Sequence, residues 1–329
     1  MQAVWYERFG PAGECLQLGE RDTPSLGHGE VLVRLHASGV NPSDVKKRAG
    51  ITLPNLLDDG PVIPHSDGAG VIEAVGTGVS AARIGESVWV YNAQHRRRCG
   101  TAAQYVALPA AFAVPLPDNV DFATGAGLGI PAMTAHRAVT LAGPVAERTV
   151  LVTGGAGRVG YYAIQFAKLR GARVIATASS ATSRADCHAA GADWVIDHPN
   201  ANTAAEVLDL TRDIGVDLVV EGEFGGNFNT VLDAIRTGGT IATYASMAAP
   251  TPTLPFYRMM YKDLSLRWVF MYEMPATAMQ QAIDDISAAL ARGQLLHRIA
   301  ARFPLAETAA AHALIETGTA RGGVVVETV

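Results

Sequence analysis

The chain has 329 residues, of which 49% are hydrophobic and 17% are charged, and it carries a formal net charge of −5. A chain of this length and composition forms about two domains with buried cores, which excludes a disordered protein and a strongly basic one. The N-terminal residues lack the apolar stretch of a signal peptide, and glycines and prolines interrupt the longest uncharged run, residues 237–257. The three cysteines are scattered and predict no disulfide framework. We therefore expect a cytoplasmic protein with no membrane partner.

The first third of the chain is rich in predicted strands. Apolar or alternating runs, punctuated by glycines, cover residues 30–40, 67–79, 86–92 and 103–109. A helical pattern follows between Asp121 and Ala142. This part of the chain is therefore predicted to be a β-rich domain that ends in a helical segment.

The middle of the chain alternates strands with segments of helix length. Short apolar strands are predicted at residues 150–152, 174–176, 194–196, 218–220 and 240–243. Strands spaced in this way form βαβ units, whose parallel sheet is covered by helices on both faces. The pattern predicts an α/β fold with a doubly wound parallel sheet of the Rossmann type.

The last part of the chain returns to mixed structure. A strand is predicted near residues 264–272, helices at 275–291 and 305–316, and a final strand at the C-terminus. The simplest division treats the α/β domain as an insertion in a β-rich domain formed from both ends of the chain. We therefore assign residues 1–123 and 264–329 to the β-rich domain and residues 124–263 to the α/β domain.

A glycine-rich turn joins the first strand of the α/β region to an amphipathic helix. Its residues are Gly155, Ala156, Gly157, Arg158, Val159 and Gly160, which fit the pattern GxGxxG. In this pattern Gly155 permits the tight turn, Gly157 lets the backbone approach a pyrophosphate, and Gly160 lets the helix pack on the strand. The helix N-terminus offers its N–H groups to the phosphates. The turn predicts a dinucleotide site; the alternative is a glycine-rich turn without a ligand.

The end of the next strand selects between the two nicotinamide dinucleotides, because an NAD enzyme usually places a carboxylate there. This chain has hydroxyls at Ser179 and Ser180 and a guanidinium at Arg184, and its first acid, Asp186, lies in the following helix. Hydroxyl and guanidinium groups donate to a 2′-phosphate, which favours NADPH as the cofactor. Ser179 and Ser180 are also suited to cap the next helix, and both interpretations can hold together.

Several further motifs accompany this turn. They include HASGVNPSD, PHSDGAGVIEAVGTGV, GAGLGIPAMTAHRA and VTGGAGRVG, and near the C-terminus FPLAETAAAHALIETG. On these motifs the chain resembles the medium-chain dehydrogenase/reductases over nearly its whole length, and within them the zinc-free, zeta-crystallin-like quinone oxidoreductases. The resemblance implies a GroES-like fold for the β-rich catalytic domain and an acceptor site in the cleft between the two domains. It also implies a homodimer built on the α/β domain.

The zinc-ligand positions of related zinc-dependent enzymes are occupied differently in this chain. Asn41 stands where those relatives place a cysteine, Ser66 where they place a histidine, and the segment in place of their four-cysteine lobe has only Cys99. Zinc requires about four nitrogen, sulfur or oxygen ligands in a tetrahedral array, and Cys99, His95 and His65 lack the spacing for one. We therefore expect no metal site.

A metal-free site favours hydride transfer from a reduced nicotinamide to an acceptor that is already activated. The resemblance therefore implies an NADPH-dependent quinone oxidoreductase, with a small-molecule quinone as its substrate. Two alternatives stay open: an NADPH-dependent reductase of the activated C=C bond of enals or enones, and an NADPH-binding protein that binds RNA with little turnover. The second rests on Arg96, Arg97 and Arg98, a basic run that also suits a solvated loop. Nucleic acid is not the expected partner, because no RNA-recognition motif accompanies that run.

Three residues are candidates for the catalytic site. Asn41 matches a position where the family contacts the nicotinamide ribose or the substrate, although it also suits the N-cap of the following helix. Lys46 replaces a tyrosine of zeta-crystallin-like proteins and is suited to stabilise an oxyanion, with the proton supplied by water. Alternatively, Lys46, Lys47 and Arg48 form a solvated helix face. His65 replaces the family's usual glycine and either lines the cleft or is a hydrogen-bonded loop residue.

Further cofactor contacts are expected outside the glycine turn. They are Thr134, Tyr244, Ser246, Phe270 and Met271. Tyr244 and Ser246 follow a parallel strand, so they should lie at the carboxyl edge of the sheet, where ligands bind. The resemblance places Thr134 near the phosphates or the nicotinamide, and Phe270 and Met271 on a strand whose backbone holds the carboxamide in relatives. The alternatives are a hydroxyl bonded to its own helix for Thr134 and core packing for the other two.

Overall fold

The computed structural model describes all 329 residues, which form fifteen strands and eleven α-helices. The strands are β1 (Gln2–Trp5), β2 (Gln17–Glu20), β3 (Glu30–Val40), β4 (Asp67–Val75), β5 (Ser87–Val90), β6 (Tyr105–Pro109), β7 (Ala113–Pro115), β8 (Thr149–Val152), β9 (Arg173–Ala178), β10 (Trp194–Asp197), β11 (Val216–Glu221), β12 (Ile235–Thr243), β13 (Ser265–Trp268), β14 (Ile299–Pro304) and β15 (Gly323–Glu327). The helices are α1 (Ala12–Cys15), α2 (Pro42–Arg48), α3 (Phe122–Gly125), α4 (Gly129–Thr140), α5 (Arg158–Leu169), α6 (Ala181–Ala189), α7 (Thr203–Leu210), α8 (Phe224–Ala234), α9 (Phe256–Tyr261), α10 (Ala276–Ala291) and α11 (Thr308–Glu316). No helix combines the length and the apolar character that crossing a bilayer requires.

Backbone contacts divide the chain into two compact units. Unit 1 comprises Met1–Ile130 and Ile283–Val329, and unit 2 comprises Pro131–Ala282. Unit 1 contains a seven-stranded sheet in the order β14-β15-β3-β4-β5-β7, with β6 paired to β3. Its longest strand, β3, buries Val31, Val33 and Leu35 at alternate positions, as a strand with one face on the core requires.

Unit 2 contains a six-stranded sheet in the order β10-β9-β8-β11-β12-β13, and every pair of neighbouring strands is parallel. The strand order reverses direction between β8 and β11, which makes their carboxyl ends the topological switch point at which α/β sheets bind ligands. This arrangement confirms the predicted Rossmann-type sheet, and all five of the short central strands predicted from the sequence lie in it.

The final strand of this sheet explains where unit 2 ends. The sequence pattern predicts that the dinucleotide-binding domain ends at residue 263, which leaves the next strand in the β-rich domain. In the structure that strand is β13, and it pairs in parallel with β12, with Ser265 opposite Thr240 and Trp268 opposite Thr243. The pairing keeps β13 in unit 2, which continues to Ala282.

Candidate active site

The glycine-rich turn of unit 2 follows β8 and leads into α5. Its left-handed residue is Gly154, with a φ of +58°, and not Gly155, to which the sequence analysis assigned the tight turn. Gly155 is required for a different reason: a Cβ atom there would lie 2.9 Å from the Cβ of Ala176 and from the Sγ of Cys187. Gly154 therefore makes the turn, and Gly155 lets the turn pack against β9 and α6.

Two further glycines shape the start of α5. A Cβ atom on Gly160 would lie 2.5 Å from the carbonyl oxygen of Gly154, so only glycine lets the helix pack this closely on the turn. Gly157 is the exposed N-cap, and a Cβ atom there would meet only that same carbonyl oxygen, at 3.2 Å. An exposed helix N-terminus without a covering side chain offers its backbone N–H groups to phosphate. These residues therefore fit the pyrophosphate of a dinucleotide.

Thr177 of β9 fixes the turn from the neighbouring strand. The Gly154 N–H donates to the Thr177 hydroxyl at 3.0 Å, and the Gly155 N–H donates to the Thr177 carbonyl oxygen at 2.9 Å. The hydroxyl is buried with the end of the strand. Thr177 thus supplies the two acceptors that hold the turn.

The segment after β9 carries the residues from which we predicted NADPH. Ser180 caps α6, since its hydroxyl accepts from the Ser183 N–H at 3.1 Å and donates to the Ser183 hydroxyl at 2.9 Å. This confirms the capping interpretation for Ser180. Ser179 is exposed at the end of the strand. Arg184 forms an ion pair with Asp197, with 2.6 Å between Nη1 and Oδ2.

Sequence reasoning missed Asp197. This residue ends β10, and the register places it opposite Ala178, the last residue of β9. A carboxylate therefore does lie at this edge of the sheet, although it is supplied by the next strand along the chain. The signal was available in the sequence, because an acid that directly follows a predicted buried strand lies at the carboxyl edge of a parallel sheet.

The switch point between β8 and β11 is polar and buried. Thr153 bridges the two strands: its N–H donates to the Val220 carbonyl oxygen at 3.0 Å, and its hydroxyl accepts from the Gly222 N–H at 3.1 Å. Glu221 is fully buried, and its Oε1 accepts from the Glu223 N–H at 2.5 Å. Burial raises the pKa of the Glu221 carboxyl. This edge therefore places a carboxyl group with a weakened tendency to ionise beside a bridging hydroxyl.

Tyr244 and Ser246 follow β12 at the same edge. Burial, with a contribution from the charge of Glu221, raises the pKa of the Tyr244 phenol. The Ser246 hydroxyl accepts from the Gly225 N–H at 2.9 Å and donates to the Ala249 carbonyl oxygen at 2.5 Å, so it ties the loop to the start of α8. Both residues lie at the carboxyl edge, as their position after a parallel strand indicated.

Asn41 in unit 1 is fixed from two sides. It is the N-cap of α2, and its backbone N–H donates to Asp44 Oδ2 at 2.9 Å. Its side-chain Nδ2 donates to Asp67 Oδ2 at 2.9 Å, and the same oxygen accepts from the Ile130 N–H at 2.8 Å. A Cβ atom on Gly129 would lie 2.1 Å from Asp67 Oδ1, so the carboxylate is seated against the first turn of α4. Asp67 therefore orients the Asn41 amide.

His65 lies in a buried chain of hydrogen bonds in unit 1. Its backbone has a φ of +75°, the left-handed conformation that favours the glycine expected at this position. Its Nδ1 lies 2.8 Å from the Ser38 hydroxyl, and its Nε2 lies 2.8 Å from His312 Nε2. The Ser38 hydroxyl also lies 2.7 Å from the Thr101 hydroxyl. The Thr101 hydroxyl in turn donates to the Asp67 carbonyl oxygen at 2.6 Å. This agrees with the alternative of a hydrogen-bonded loop residue, and the catalytic role of His65 stays a prediction.

The number of available protons decides which group donates in each hydrogen bond of this network. The Thr101 hydroxyl donates its hydrogen bond to the Asp67 carbonyl oxygen. The Ser38 hydroxyl must therefore donate to the Thr101 hydroxyl and accept from His65 Nδ1. A neutral His65 then has Nε2 as its acceptor, and His312 must donate to it. Burial lowers the pKa of both imidazoles, for His312 to about 3, which keeps the pair neutral.

The basic residues of α2 do not form the solvated helix face that the sequence pattern suggests. Lys47 and Arg48 are buried, and only Lys46 is partly exposed. Lys47 Nζ donates to Gln94 Oε1 at 2.6 Å, and burial lowers the pKa of this amine. Arg48 pairs with Glu316 of α11. The solvated-face interpretation is therefore wrong for Lys47 and Arg48, because partners distant in the sequence hold both side chains.

The remaining candidates have different degrees of burial. Thr134 is nearly buried within α4. The strand that sequence reasoning extended to residue 272 ends at Trp268, so Met271 lies in a short 3₁₀ helix that Phe270 precedes. Met271 is buried, as the core-packing alternative expects, whereas Phe270 is 57% exposed. Their roles as cofactor contacts stay predictions.

The basic run of unit 1 is largely occupied by protein partners. Arg97 Nη2 lies 3.0 Å from Glu30 Oε1 and also donates to the Ala107 carbonyl oxygen at 2.5 Å. Arg98 donates to the Pro61 carbonyl oxygen at 2.5 Å. Two of the three arginines therefore hold the loop in place, which weakens the case for an RNA-binding surface here.

The side chains that commonly bind metal ions are dispersed in this structure. No group of three or more His, Cys, Asp or Glu side chains is arranged so that it could hold one. Asn41 and Ser66, which occupy the zinc-ligand positions of zinc-dependent relatives, are both buried, and an amide and a hydroxyl are poor substitutes for a thiolate and an imidazole.

Comparison with known proteins places these observations in a family. Residues 27–118 match the alcohol dehydrogenase GroES-like domain and residues 159–288 match the zinc-binding dehydrogenase family. The quinone oxidoreductase of Rattus norvegicus is 31% identical over 320 residues, which cover 95% of this chain and 93% of that protein. The two domains and their glycine turn thus define a nicotinamide-dependent oxidoreductase.

Solved structures agree with this placement over the full length of the chain. The structure of an NAD-dependent alcohol dehydrogenase has a TM-score of 0.90 and 32% identity, and covers 100% of both chains. A mycobacterial protein complexed with NADPH has a TM-score of 0.88 and 29% identity, and covers 99% of this chain and 100% of its own. The chain belongs to the quinone oxidoreductase branch of the medium-chain dehydrogenase/reductase superfamily.

Proposed function

We propose that this enzyme is an NADPH-dependent quinone oxidoreductase that transfers hydride without a metal ion. The observation that carries the proposal is the glycine turn, in which Gly155 and Gly160 allow a packing that any Cβ atom would prevent. It occurs in a chain related over 95% of its length to a quinone oxidoreductase. When bound, the reduced nicotinamide supplies the hydride, so the protein has to bind, orient and stabilise charge.

Asn41 and Lys46 are the candidate residues for orienting the substrate and stabilising its charge. Asp67 fixes the Asn41 amide through Nδ2, and the Asn41 side-chain oxygen accepts from the Asp44 N–H in the capping box of α2. The second lone pair of that oxygen is suited to accept a hydrogen bond from a ribose or substrate hydroxyl. Lys46 lies on the partly exposed side of α2, and its ammonium group is suited to stabilise the oxyanion of a reduced quinone. Water then supplies the proton, since Lys46 replaces the tyrosine that similar proteins carry.

The donor set at the zinc-ligand positions supports a reaction without a metal step. Asn41 donates to Asp67, and Ser66 is a hydroxyl, so neither supplies the thiolate or imidazole that zinc requires. Without such polarisation a simple alcohol is a poor substrate, whereas a quinone accepts hydride readily because it is already electron-poor. The three cysteines are free thiols, which suits a reducing compartment such as the cytoplasm.

NADPH is the proposed cofactor because hydroxyls and a guanidinium surround the end of β9. Ser179 is exposed there, and Arg184 lies one helical turn beyond the cap of α6. One related structure is complexed with NADPH, whereas another belongs to an NAD-dependent enzyme. The ratio of kcat/KM for NADPH to that for NADH, measured before and after Arg184→Glu, tests the assignment.

We further propose a homodimer that forms through unit 2. The edge strand β13 carries Trp268, which is 71% exposed, and the residues beside it include Phe270 at 57%. An exposed strand edge flanked by large apolar side chains favours pairing with another chain. The proposed occupant is a second copy of this chain, which agrees with the dimer implied by the family resemblance.

A screen of acceptors tests the proposed reaction. Oxidation of NADPH is followed with ortho-quinones, para-quinones, enals and enones under the same conditions. Turnover of quinones at rates at least about tenfold above those of the enals and enones supports the proposal. Preference for enals or enones would instead make the enzyme a reductase of activated C=C bonds. NADPH binding without turnover of any acceptor would contradict both.

A further inference from the structure

The ion pair between Arg184 and Asp197 lies where the cofactor is selected. Arg184 Nη1 and Asp197 Oδ2 are 2.6 Å apart, and their side chains are 30% and 29% exposed. The register places Asp197 of β10 opposite Ala178, the last residue of β9. In dinucleotide-binding sheets the end of this second strand faces the ribose that carries either a 2′-hydroxyl or a 2′-phosphate. The pair therefore lies next to the group that distinguishes NADH from NADPH.

Arg184 is the main partner of this carboxylate. Asp197 Oδ2 accepts from Arg184 and, at the longer distance of 3.3 Å, from Asn200 Nδ2. Its other oxygen, Oδ1, is buried and has no hydrogen-bond partner. Because one buried oxygen of the carboxylate is unsatisfied, the stabilisation of the Asp197 charge depends strongly on the Arg184 guanidinium. Asp197 therefore competes with any other anion for Arg184.

The negative charge of Asp197 offsets the attraction of Arg184 for an anionic ligand. A 2′-phosphate carries a charge of about −1.5 to −2 at pH 7. The guanidinium of Arg184 has five N–H donors and is able to contact both anions at once, but Asp197 then repels the phosphate across the shared cation. A 2′-hydroxyl carries no charge, so it avoids this repulsion.

From this geometry we infer that Asp197 is a specificity-determining residue that competes with the 2′-phosphate for Arg184. It thereby lowers the preference for NADPH over NADH below the level that Ser179, Ser180 and Arg184 alone would give. The inference rests on the proposed contact between Arg184 and the 2′-phosphate. It assigns part of the cofactor preference to a residue of β10, outside the glycine turn and outside the segment that follows β9.

Binding measurements on the full chain test the inference without an acceptor. Dissociation constants are measured for NADPH and NADH, and for the fragments 2′,5′-ADP and 5′-AMP, which differ only in the 2′-phosphate. Asp197→Asn should tighten NADPH and 2′,5′-ADP by about threefold to tenfold, because it removes the repulsion and keeps the shape. NADH and 5′-AMP should change by less than about twofold. Asp186→Asn is the matched control, since it removes the same charge from α6, the helix of Arg184.

The route through Arg184 is tested in the same way. In an Arg184→Gln background, Asp197→Asn should have a clearly smaller effect on 2′,5′-ADP than in the wild type. An unchanged or weaker affinity for 2′,5′-ADP in Asp197→Asn, or the full effect in the Arg184→Gln background, would overturn the inference. Thermal unfolding of each variant confirms that it is folded. A protein that shows the expected binding pattern and reduces no quinone would contradict the proposed activity alone.

Discussion

His65 Nε2 lies 2.8 Å from His312 Nε2, and both imidazoles are buried in unit 1. One of the two rings must donate and the other accept, so the contact does not tolerate protonation of both rings. Burial lowers the pKa of both groups, for His312 to about 3, whereas an unfolded histidine has a pKa near 6.5. Between these values the unfolded chain binds more protons than the folded chain, and stability therefore falls as the pH falls below about 6.5.

This difference predicts an acid sensitivity that one substitution reduces. A buried histidine whose pKa is about 3, as at His312, costs about 2 kcal/mol of unfolding free energy between pH 7 and pH 5. His312→Gln keeps an N–H donor for His65 but does not titrate, so it should lose about 2 kcal/mol less than the wild type over that range. Urea unfolding at the two pH values measures the effect. His28→Gln, at an exposed histidine, is the control, and equal acid losses in the wild type and His312→Gln would refute the prediction.

The glycines of the turn separate ligand binding from packing. A Cβ atom on Gly160 would clash with the Gly154 carbonyl oxygen at 2.5 Å, so Gly160→Ala should lower both the Tm and the affinity for NADPH. At Gly157 the corresponding contact is 3.2 Å, so Gly157→Ala should change the unfolding free energy by no more than about 1 kcal/mol. Its affinity for NADPH should nevertheless fall by about tenfold or more, because the methyl group occupies the space of the pyrophosphate. A Gly157→Ala variant that binds normally would contradict a phosphate site at this position.

The contact between Asn41 and Asp67 predicts a large loss of stability when Asn41 is replaced by the isosteric but charged aspartate. Asn41→Asp places a second carboxylate about 2.9 Å from the first in a buried site and should cost about 3 kcal/mol of unfolding free energy at pH 8. Repulsion raises the pKa of the new carboxyl above its unfolded value near 3.9, so the loss grows as the pH rises and shrinks toward pH 4. Asn41→Ala, which adds no charge, should show a smaller loss with little dependence on pH. Parallel pH profiles for the two variants would refute this account.

The proposed homodimer predicts a change of mass in solution. Trp268→Asp puts a charge on the exposed edge strand β13 and should shift the protein from dimer to monomer. Sedimentation at several protein concentrations measures the shift. Trp194→Asp, at another exposed tryptophan in the opposite edge strand β10, is a matched control that should leave the dimer intact. A wild type that stays monomeric at high concentration would remove the proposal.

Metal removal gives a further test of the reaction. The donor set around Asn41 and Ser66 fits no zinc ion, so prolonged dialysis against a chelator should leave kcat for quinone reduction unchanged within error. Elemental analysis of the same samples should give far less than one zinc per chain. Stoichiometric zinc, together with loss of turnover on chelation and recovery on its return, would require a metal-dependent mechanism.

The sequence predicted those features that local patterns determine. The buried strands of unit 2 and the glycine turn have a spacing that only a few folds share, so both could be found without the structure. The assignment of the tight turn to Gly155 was wrong in detail: Gly154 has the left-handed φ, and Gly155 must be glycine because it packs against Ala176 and Cys187. Patterns of this kind locate a turn more reliably than they assign the role of each residue in it.

The features that the sequence did not predict depend on contacts between distant residues. Lys47 and Arg48 look like solvent-exposed residues of a short helix, but in the structure they are buried and have remote partners, which include Gln94 and Glu316. Asp197 was missed because the search for a selecting carboxylate stopped at the end of β9 and did not include the neighbouring strand. In each case the missing information was which remote segment lies beside the residue, which single-chain periodicity does not contain.

The left-handed backbone of His65 has a consequence for engineering. His65→Gly would relieve the backbone at a φ of +75°, because glycine has no Cβ atom that opposes the left-handed conformation. Here the exchange would remove the ring that connects Ser38 with His312 and leave both without that contact in a dry interior. A consensus-based redesign that restored the glycine would therefore have to rebuild the interior around positions 38 and 312 at the same time.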